Sequence, residues 1–329
     1  MPNRFDALLN GADNDFLMTH GLFEMTEEET LLQQELMDSA VPFSLIWKDR
    51  GDAPKVIKWD AEFERYLEHR IKLIDHGGRE SFAPWAIYEE MGLQYSGGYG
   101  LDQAQLGSCA MCSHRNATTI NDLVNAKLLG VKPVELNPSI AYAAARGNGK
   151  LAWGSGANLG PLSSYTAKEG NHLVSDVGPY NIAGKGVTEA NRQQFRANAL
   201  KHQSIICHLP NINFDTFQFI GLAGLAANVG TNSWCSGGQT DTNGMQIGTG
   251  RANGGHAITK GGFAITIAGT DYVWFQNQHG LRYKTGTRIK SHSSGCFMTR
   301  SNWGTLSINP KFGVPYICIT ELGHLNALR

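Results

Sequence analysis

The chain has almost no charge imbalance, no long hydrophobic run, no internal repeat and few cysteines for its length. Over 329 residues, 28 Lys and Arg nearly cancel 29 Asp and Glu. No charge excess therefore points to nucleic acid, an acidic membrane surface or a strongly charged substrate. No stretch approaches the roughly 18 to 20 apolar residues that cross a bilayer, so no membrane partner is expected. The segment Met1-Pro-Asn-Arg-Phe-Asp6 has no apolar core ahead of a small-residue cleavage site. No secretion signal is read there, and a reducing location, cytoplasmic or virion-associated, is expected. Six cysteines, at 109, 112, 207, 235, 296 and 318, include only one pair close in sequence. They do not make a disulfide scaffold, and mostly free thiols are expected. No second close Cys/His pair follows Cys109 and Cys112, so four zinc ligands are not assembled and no metal or cofactor is expected.

What is present is a mixed, turn-rich chain: 41% apolar, 17% charged, with 39 glycines. Residues 26–37 and 61–74 place apolar side chains at three and four spacing, which predicts amphipathic helices. Asp49-Arg-Gly-Asp-Ala-Pro54 is a turn between them, and His76-Gly-Gly-Arg-Glu80 is a stop. A third helix is expected from Cys109 through Leu129, closed by Gly130. Polar, glycine-rich sequence dominates 145–190, with a helix expected near 189–201. From about 205 the pattern turns to short strands, at 204–209, 263–268, 272–276, 297–299 and 314–320. A helical half followed by an antiparallel half is an α+β arrangement, with a cleft where the two meet. Residues 1–82 are read as a helical N-terminal arm or prosegment. Residues 83–329 are read as the main domain, helical over about 83–203 and β over about 204–329.

The segment Gly100-Leu-Asp-Gln-Ala-Gln-Leu-Gly-Ser-Cys-Ala-Met-Cys-Ser113 passes from a glycine-rich loop into the helix expected at Cys109. A thiol at a helix N-terminus feels unpaired N–H groups and the positive end of the macrodipole, both of which favour thiolate. The same N–H groups are placed to hold an oxyanion, with a nearby amide such as Gln103 as second donor. On spacing alone, Cys109-Ala-Met-Cys112 reads equally as a redox pair, half of a zinc site or two buried thiols.

In order along the chain, further residues narrow this choice. Asp102-Gln103 precedes Cys109, and the run Asp-Gln-x-x-x-Gly-Ser-Cys resembles the papain family of cysteine peptidases, in particular its microbial and viral branch. Trp85 resembles the tryptophan near the start of that family's mature domain. Leu136-Asn-Pro-Ser-Ile-Ala-Tyr142 resembles its Leu-Ser-Pro segment, and Gly170 through Pro179-Tyr180 its Gly…Pro-Tyr stretch. Gly154-Ser-Gly156 sits where family glycines line the substrate groove, and Gly254-Gly-His-Ala-Ile258 resembles the family's His-Ala-Val. Tyr272-Val-Trp-Phe-Gln-Asn-Gln-His-Gly280 resembles its strand ending in Asn-Ser-Trp-Gly, and Ser294-Gly-Cys-Phe297 its closing strand. The likeness spans about residues 83–329.

The resemblance implies a two-lobed domain, a helical lobe plus an antiparallel β-barrel lobe, and assigns site roles. Cys109 is the nucleophile, His256 its base and Asn277 the residue that orients the histidine. Gln103 is the oxyanion donor, and Gly154 and Gly156 bind substrate. Cys112 falls on the buried face. The chain departs from the family at Ala110, where a tryptophan follows the nucleophile, and at His279, where a tryptophan shields the Asn–His contact. Without that shield a wetter imidazole is expected.

The implied activity is a thiol endopeptidase working on a peptide or protein through a thiolate–imidazolium pair and an acyl-enzyme. The alternative is a structural or assembly protein, such as a virion component, that uses the same scaffold and docks through its N-terminal arm. A cell-wall peptidase of another Cys–His family fits less well, because those families lack the upstream glutamine and carry a polar residue other than Asn277.

Overall fold

Asp60 opens the first helix of the computed structural model: its carboxylate accepts the backbone N–H of Glu62 and Phe63 at 3.1 and 3.0 Å. Two orphan donors of the first turn are thereby satisfied, and Glu62 and Glu64 add charge complementary to the helix dipole. The structure describes residues 56–96, 98–101, 103, 108–145, 157, 159–180, 189–278, 295–305, 307–308 and 313–320. The helix read at 26–37 lies outside them.

All described residues fall in the compact unit Phe43–Arg329. Its strands are β1 (Val56–Ile57), β2 (Leu136–Asn137), β3 (His172–Leu173), β4 (Ser204–His208), β5 (Ala226–Trp234), β6 (Gly237–Thr240), β7 (Gln246–Thr249), β8 (Ala252–Ile267), β9 (Thr270–Gln276), β10 (Gly295–Met298), β11 (Ser307–Ile308) and β12 (Tyr316–Thr320). The helices used below are α1 (Ala61–His76), α2 (Pro84–Glu90), α3 (Cys109–Leu129), α4 (Ser139–Ala145), α5 (Leu159–Glu169), α6 (Val174–Val177), α7 (Glu189–Ala199) and α8 (Phe214–Leu222). A ten-stranded sheet runs in the order β1-β4-β12-β5-β8-β9-β10-β7-β6, with β11 on β5. Its pairs are antiparallel except β1 with β4 and β7 with β10. Helices come mainly before the sheet strands in sequence and pack on them, so the fold is α+β.

Residues 56–82, read above as part of the arm, are built into this unit. β1 extends the sheet beside β4, and Phe63 and Leu67 of α1 are fully buried against Ile205, Phe217 and Ile220. Each such side chain contributes about 2 to 3 kcal/mol by burial. Arg70, on the same face, donates to the carbonyl of Ala223 at 2.8 Å and to Asn125 Oδ1 at 2.6 Å.

Helix α3 is the centre of the unit. It is buried on every side from Ala110 to Ala126 and has little amphipathic character, so a one-sided apolar stripe cannot hold it. Polar contacts do. Asn121 donates to the carbonyls of Ala226 and Cys318 at 3.0 and 2.7 Å and accepts the Ala226 N–H at 2.6 Å, tying α3 to β5 and β12. Ser113 donates to Asn228 at 2.6 Å, and Asp122 accepts from the N–H and hydroxyl of Thr320 at 3.2 and 2.9 Å. These pairings matter because an unmatched buried polar group costs about 1 to 3 kcal/mol. Gly130, left-handed at φ 64°, closes the helix with its N–H on the carbonyls of Ala126 and Lys127.

The strand carrying His256 is much longer than the 263–268 segment read from sequence. β8 runs for 16 residues and bends at a register shift between Lys260 and Ala264. Gly261 and Gly262 hold φ of +87° and +78° there, and the Gly262 N–H reaches the Leu225 carbonyl at 2.6 Å. Side chains other than glycine are strained at such φ, so this bulge depends on the Gly-Gly pair. Behind it, Trp85 of α2 packs on Trp274, Phe263 and Phe297 with ring centroids 4.8, 5.3 and 6.4 Å away.

Candidate active site

Cys109 is the first residue of α3, as expected. Ser108 precedes it as a cap whose side chain makes no capping hydrogen bond, which leaves first-turn N–H groups available to neighbouring atoms. The Cys109 thiol is half-buried. Burial pushes its pKa up, while backbone N–H groups of Ala257, Ala110 and Cys109 itself oppose the rise by hydrogen bonding to the sulfur. Burial is the larger of these effects, and the net direction is upward. Ala257 follows His256 directly, so its N–H places β8 against the nucleophile end of α3.

His256 is 5% exposed. Its Nε2 lies 2.8 Å from Asn277 Oδ1. The same oxygen accepts the Gln278 backbone N–H at 2.8 Å, which settles the amide's orientation because only the oxygen accepts. Nε2 therefore donates its proton to Asn277 Oδ1. His256 and Asn277 come from neighbouring strands: β8 pairs with β9, with Thr259 opposite Gln276.

Gln103 is buried, and its backbone N–H donates to the Gln278 carbonyl at 2.7 Å. Its loop thus lies against the end of β9 beside Asn277. The approach is close: a Cβ at Gly100 would lie 1.9 Å from Gln276 Nε2, so that side chain would have to move to admit one. The structure brings Cys109, His256, Asn277 and Gln103 to one end of the sheet. Asp102, Gly154, Gly156 and His279 lie outside the described residues.

Cys112, one helical turn on, is fully buried. Burial pushes its thiol up to about 12, opposed by contacts to Tyr180 Oη at 3.4 Å and Ser108 Oγ at 3.9 Å. It is an inert thiol packed under the site. The six cysteines all lie in the described residues, and no disulfide joins them. Among the described residues no group of three or more His, Cys, Asp or Glu could hold a metal ion. No helix among them is long and apolar enough to cross a membrane.

Two contributors were not read from sequence. Trp234, near the end of β5, packs over the His256 ring with centroids 4.5 Å apart at 46°. The shield missing at position 279 is therefore replaced by a ring from the next strand, and the expected wetter imidazole does not hold. Gln278 braces both Asn277 and Gln103 through its backbone. Neither carried a signal: Asn232-Ser-Trp234 shows no strand alternation, and backbone contacts are independent of residue type.

No family model matches the chain, and no curated protein matches it. Among solved structures, xylellain, a cysteine protease from Xylella fastidiosa, is 13% identical, with a TM-score of 0.46 over 67% of this chain and 82% of that one. The stem bromelain precursor is 13% identical, with a TM-score of 0.44 over 96% and 90%. Procathepsin L 3 from the larval midgut of Tenebrio molitor is 15% identical, with a TM-score of 0.43 over 96% and 99%. At these scores the site rests on its own geometry.

Proposed function

We propose that this chain is a papain-like cysteine endopeptidase. The observation that carries the reading is the His256 Nε2 to Asn277 Oδ1 contact at 2.8 Å, with the next residue's N–H directed at Cys109 Sγ. A histidine oriented by an amide beside a cysteine at a helix N-terminus is the arrangement that acyl transfer needs.

In this reading the peptide carbonyl docks over Cys109, and His256 Nδ1 takes the thiol proton as the sulfur attacks. Transfer during attack suits a thiol that burial holds protonated. The oxyanion is met by the Cys109 N–H and the Gln103 side chain. His256 then protonates the leaving amine, and a water activated by the same ring hydrolyses the thioester. Asn277 keeps Nδ1 facing the sulfur throughout, and Trp234 keeps water off the Asn–His contact.

Cys109→Ala is expected to lower peptide hydrolysis by at least about 10⁴-fold while Cys112→Ala leaves most of it. Hydrolysis of a mixed peptide library by purified variants measures this, and retained activity in Cys109→Ala overturns the reading. One observation favours the assembly alternative: the raised thiol pKa of Cys109 suits a site kept as scaffold. On that reading the native chain shows no turnover of the library and is recovered at full mass in a stoichiometric complex.

A further inference from the structure

A second sulfur cluster forms where the chain leaves β5, at Cys235, and meets side chains of β10. Cys235 and Cys296 are fully buried, and their thiols hydrogen bond to each other. Both sulfurs converge on Gly248 of β7: a Cβ there would lie 2.6 Å from Cys235 Sγ and 3.0 Å from Cys296 Sγ. Cys235 Sγ also lies 3.3 Å from Met298 Sδ and 3.2 Å from Thr305 Oγ1. Ser236, the next residue, is exposed.

Lys260 of β8 completes it. Its side chain is fully buried, and Nζ has no hydrogen-bond partner. Nζ sits 3.1 Å from the Trp303 ring centroid and 5.2 Å from that of Phe217. A buried amine held only by aromatic faces costs several kcal/mol when charged unless an anion is near. Among the described residues, the groups whose charge would act on it are Cys235 and Cys296. Their hydrogen bond, then Thr305 and Lys260, draw Cys235 down to about 7 against burial, whereas Cys296 is held well above its ordinary value. Desolvation holds Lys260 well below its own. A dithiol with one easily ionised and one protonated member, beside an amine that exchanges protons, is the composition of an oxidisable pair.

We propose that Cys235 and Cys296 form a peroxide-sensitive dithiol, with Lys260 as its proton carrier, that closes to a disulfide between β5 and β10. Cys235 first passes its proton to Lys260, and the thiolate so formed attacks one oxygen of a small peroxide; the O–O bond breaks to give Cys235 sulfenic acid and a hydroxide or alkoxide. That anion takes a proton from Lys260. Cys296 then passes its proton to Lys260, and its sulfur attacks the sulfenic sulfur. The S–O bond breaks, and the departing hydroxide leaves as water with the Lys260 proton. Two thiols are oxidised, one peroxide is reduced, and with hydrogen peroxide two waters form.

The test uses the full chain carrying Cys109→Ala, so that the thiol of the proposed peptidase site stays out of the readout and failure here leaves that reading untouched. Hydrogen peroxide is added to the native protein, open thiols are blocked by N-ethylmaleimide, and peptides are mapped by mass spectrometry. A Cys235–Cys296 linked peptide is expected before any other pair, with unchanged circular dichroism and reversal by a thiol reductant. Adding Cys296→Ser should trap Cys235 sulfenic acid as its dimedone adduct. Adding Lys260→Met should slow oxidation on the order of tenfold. The proposal is overturned if linked peptides appear only as the protein unfolds, or if Cys207, Cys112 or Cys318 oxidises first. Equal rates with and without Lys260 overturn the lysine's part. The first comparison needs no Lys260 variant and stands if that variant fails to fold.

Discussion

Cys109 and Cys235 invert the usual link between exposure and reactivity. Cys109 is half-buried at a helix N-terminus, yet its pKa is raised. Cys235 is fully buried between β5 and β6, yet it is brought down to about 7. The difference lies in the neighbours. Around Cys109 the donors are backbone N–H groups, which offset only part of the desolvation. Around Cys235 a second thiol, a hydroxyl and an amine act together. A thiol's ionisation follows the groups aimed at the sulfur more than the water around it.

The largest effect that separates the two regions is expected at Gln103. On the proposed peptidase reading, with Gln103 as oxyanion donor, Gln103→Ala should lower kcat on peptides by about 10²- to 10³-fold, while peroxide closure of Cys235 with Cys296 proceeds at its former rate. Steady-state kinetics beside peptide mapping checks both. A fall in kcat below threefold would falsify the donor role.

Next in size is a pH effect of opposite sign at the two thiols. Cys235 is depressed from 9.0 to about 7, so between those values the unfolded state binds a proton that the folded state has released. Stability then rises with pH across the window and is lost as pH falls through about 7, by at most about 2 to 3 kcal/mol. Cys109 is raised, so its contribution is fully present below its ordinary value of 9.0 and is lost as pH rises through its folded pKa. Urea unfolding of Cys235→Ser and Cys109→Ser at pH 6 to 10 should each remove one of these slopes. Parallel profiles for the two variants would break the comparison.

The smallest effect is expected at Trp234, which covers His256 and precedes Cys235. Trp234→Ala gives up an aromatic contact worth roughly 1 kcal/mol and lets water onto the Asn277–His256 hydrogen bond. A loss in kcat of about tenfold is expected, with recovery in Trp234→Phe. Loss without recovery in the phenylalanine variant would point to a general packing defect.

Much of the helical part was legible because its signals are local. Asp60 ahead of Ala61, Gly77 after His76 and Gly130 after Leu129 mark helix ends by capping, which needs no distant partner. The strands at 204–208, 270–276, 295–298 and 316–320 could be read from β-branched and aromatic runs. β5 could not. Ala226-Ala-Asn-Val-Gly-Thr-Asn-Ser-Trp234 has small and polar residues where strand alternation would show. Asn228 is buried there because Tyr316 and Ser113 meet its amide, a circumstance invisible to periodicity. α5 was lost for a similar reason, since Leu159-Gly-Pro-Leu162 reads as loop beside a glycine-rich stretch.

For the candidate site, sequence alone determined the start of α3 at Cys109, the six-residue step from Gln103 and the glycines that let the loop lie close. These are properties of a short stretch of chain. Only the tertiary structure decided that Thr231 lies opposite His256, that Trp234 covers the ring, that Gln278 ties Gln103 to Asn277, and that Cys235 and Cys296 both reach Gly248. A strand's alternation says which side chains share a face but not which strand lies alongside or in what register. Those choices follow from packing the sheet on α3, and the surroundings of both thiols follow from them.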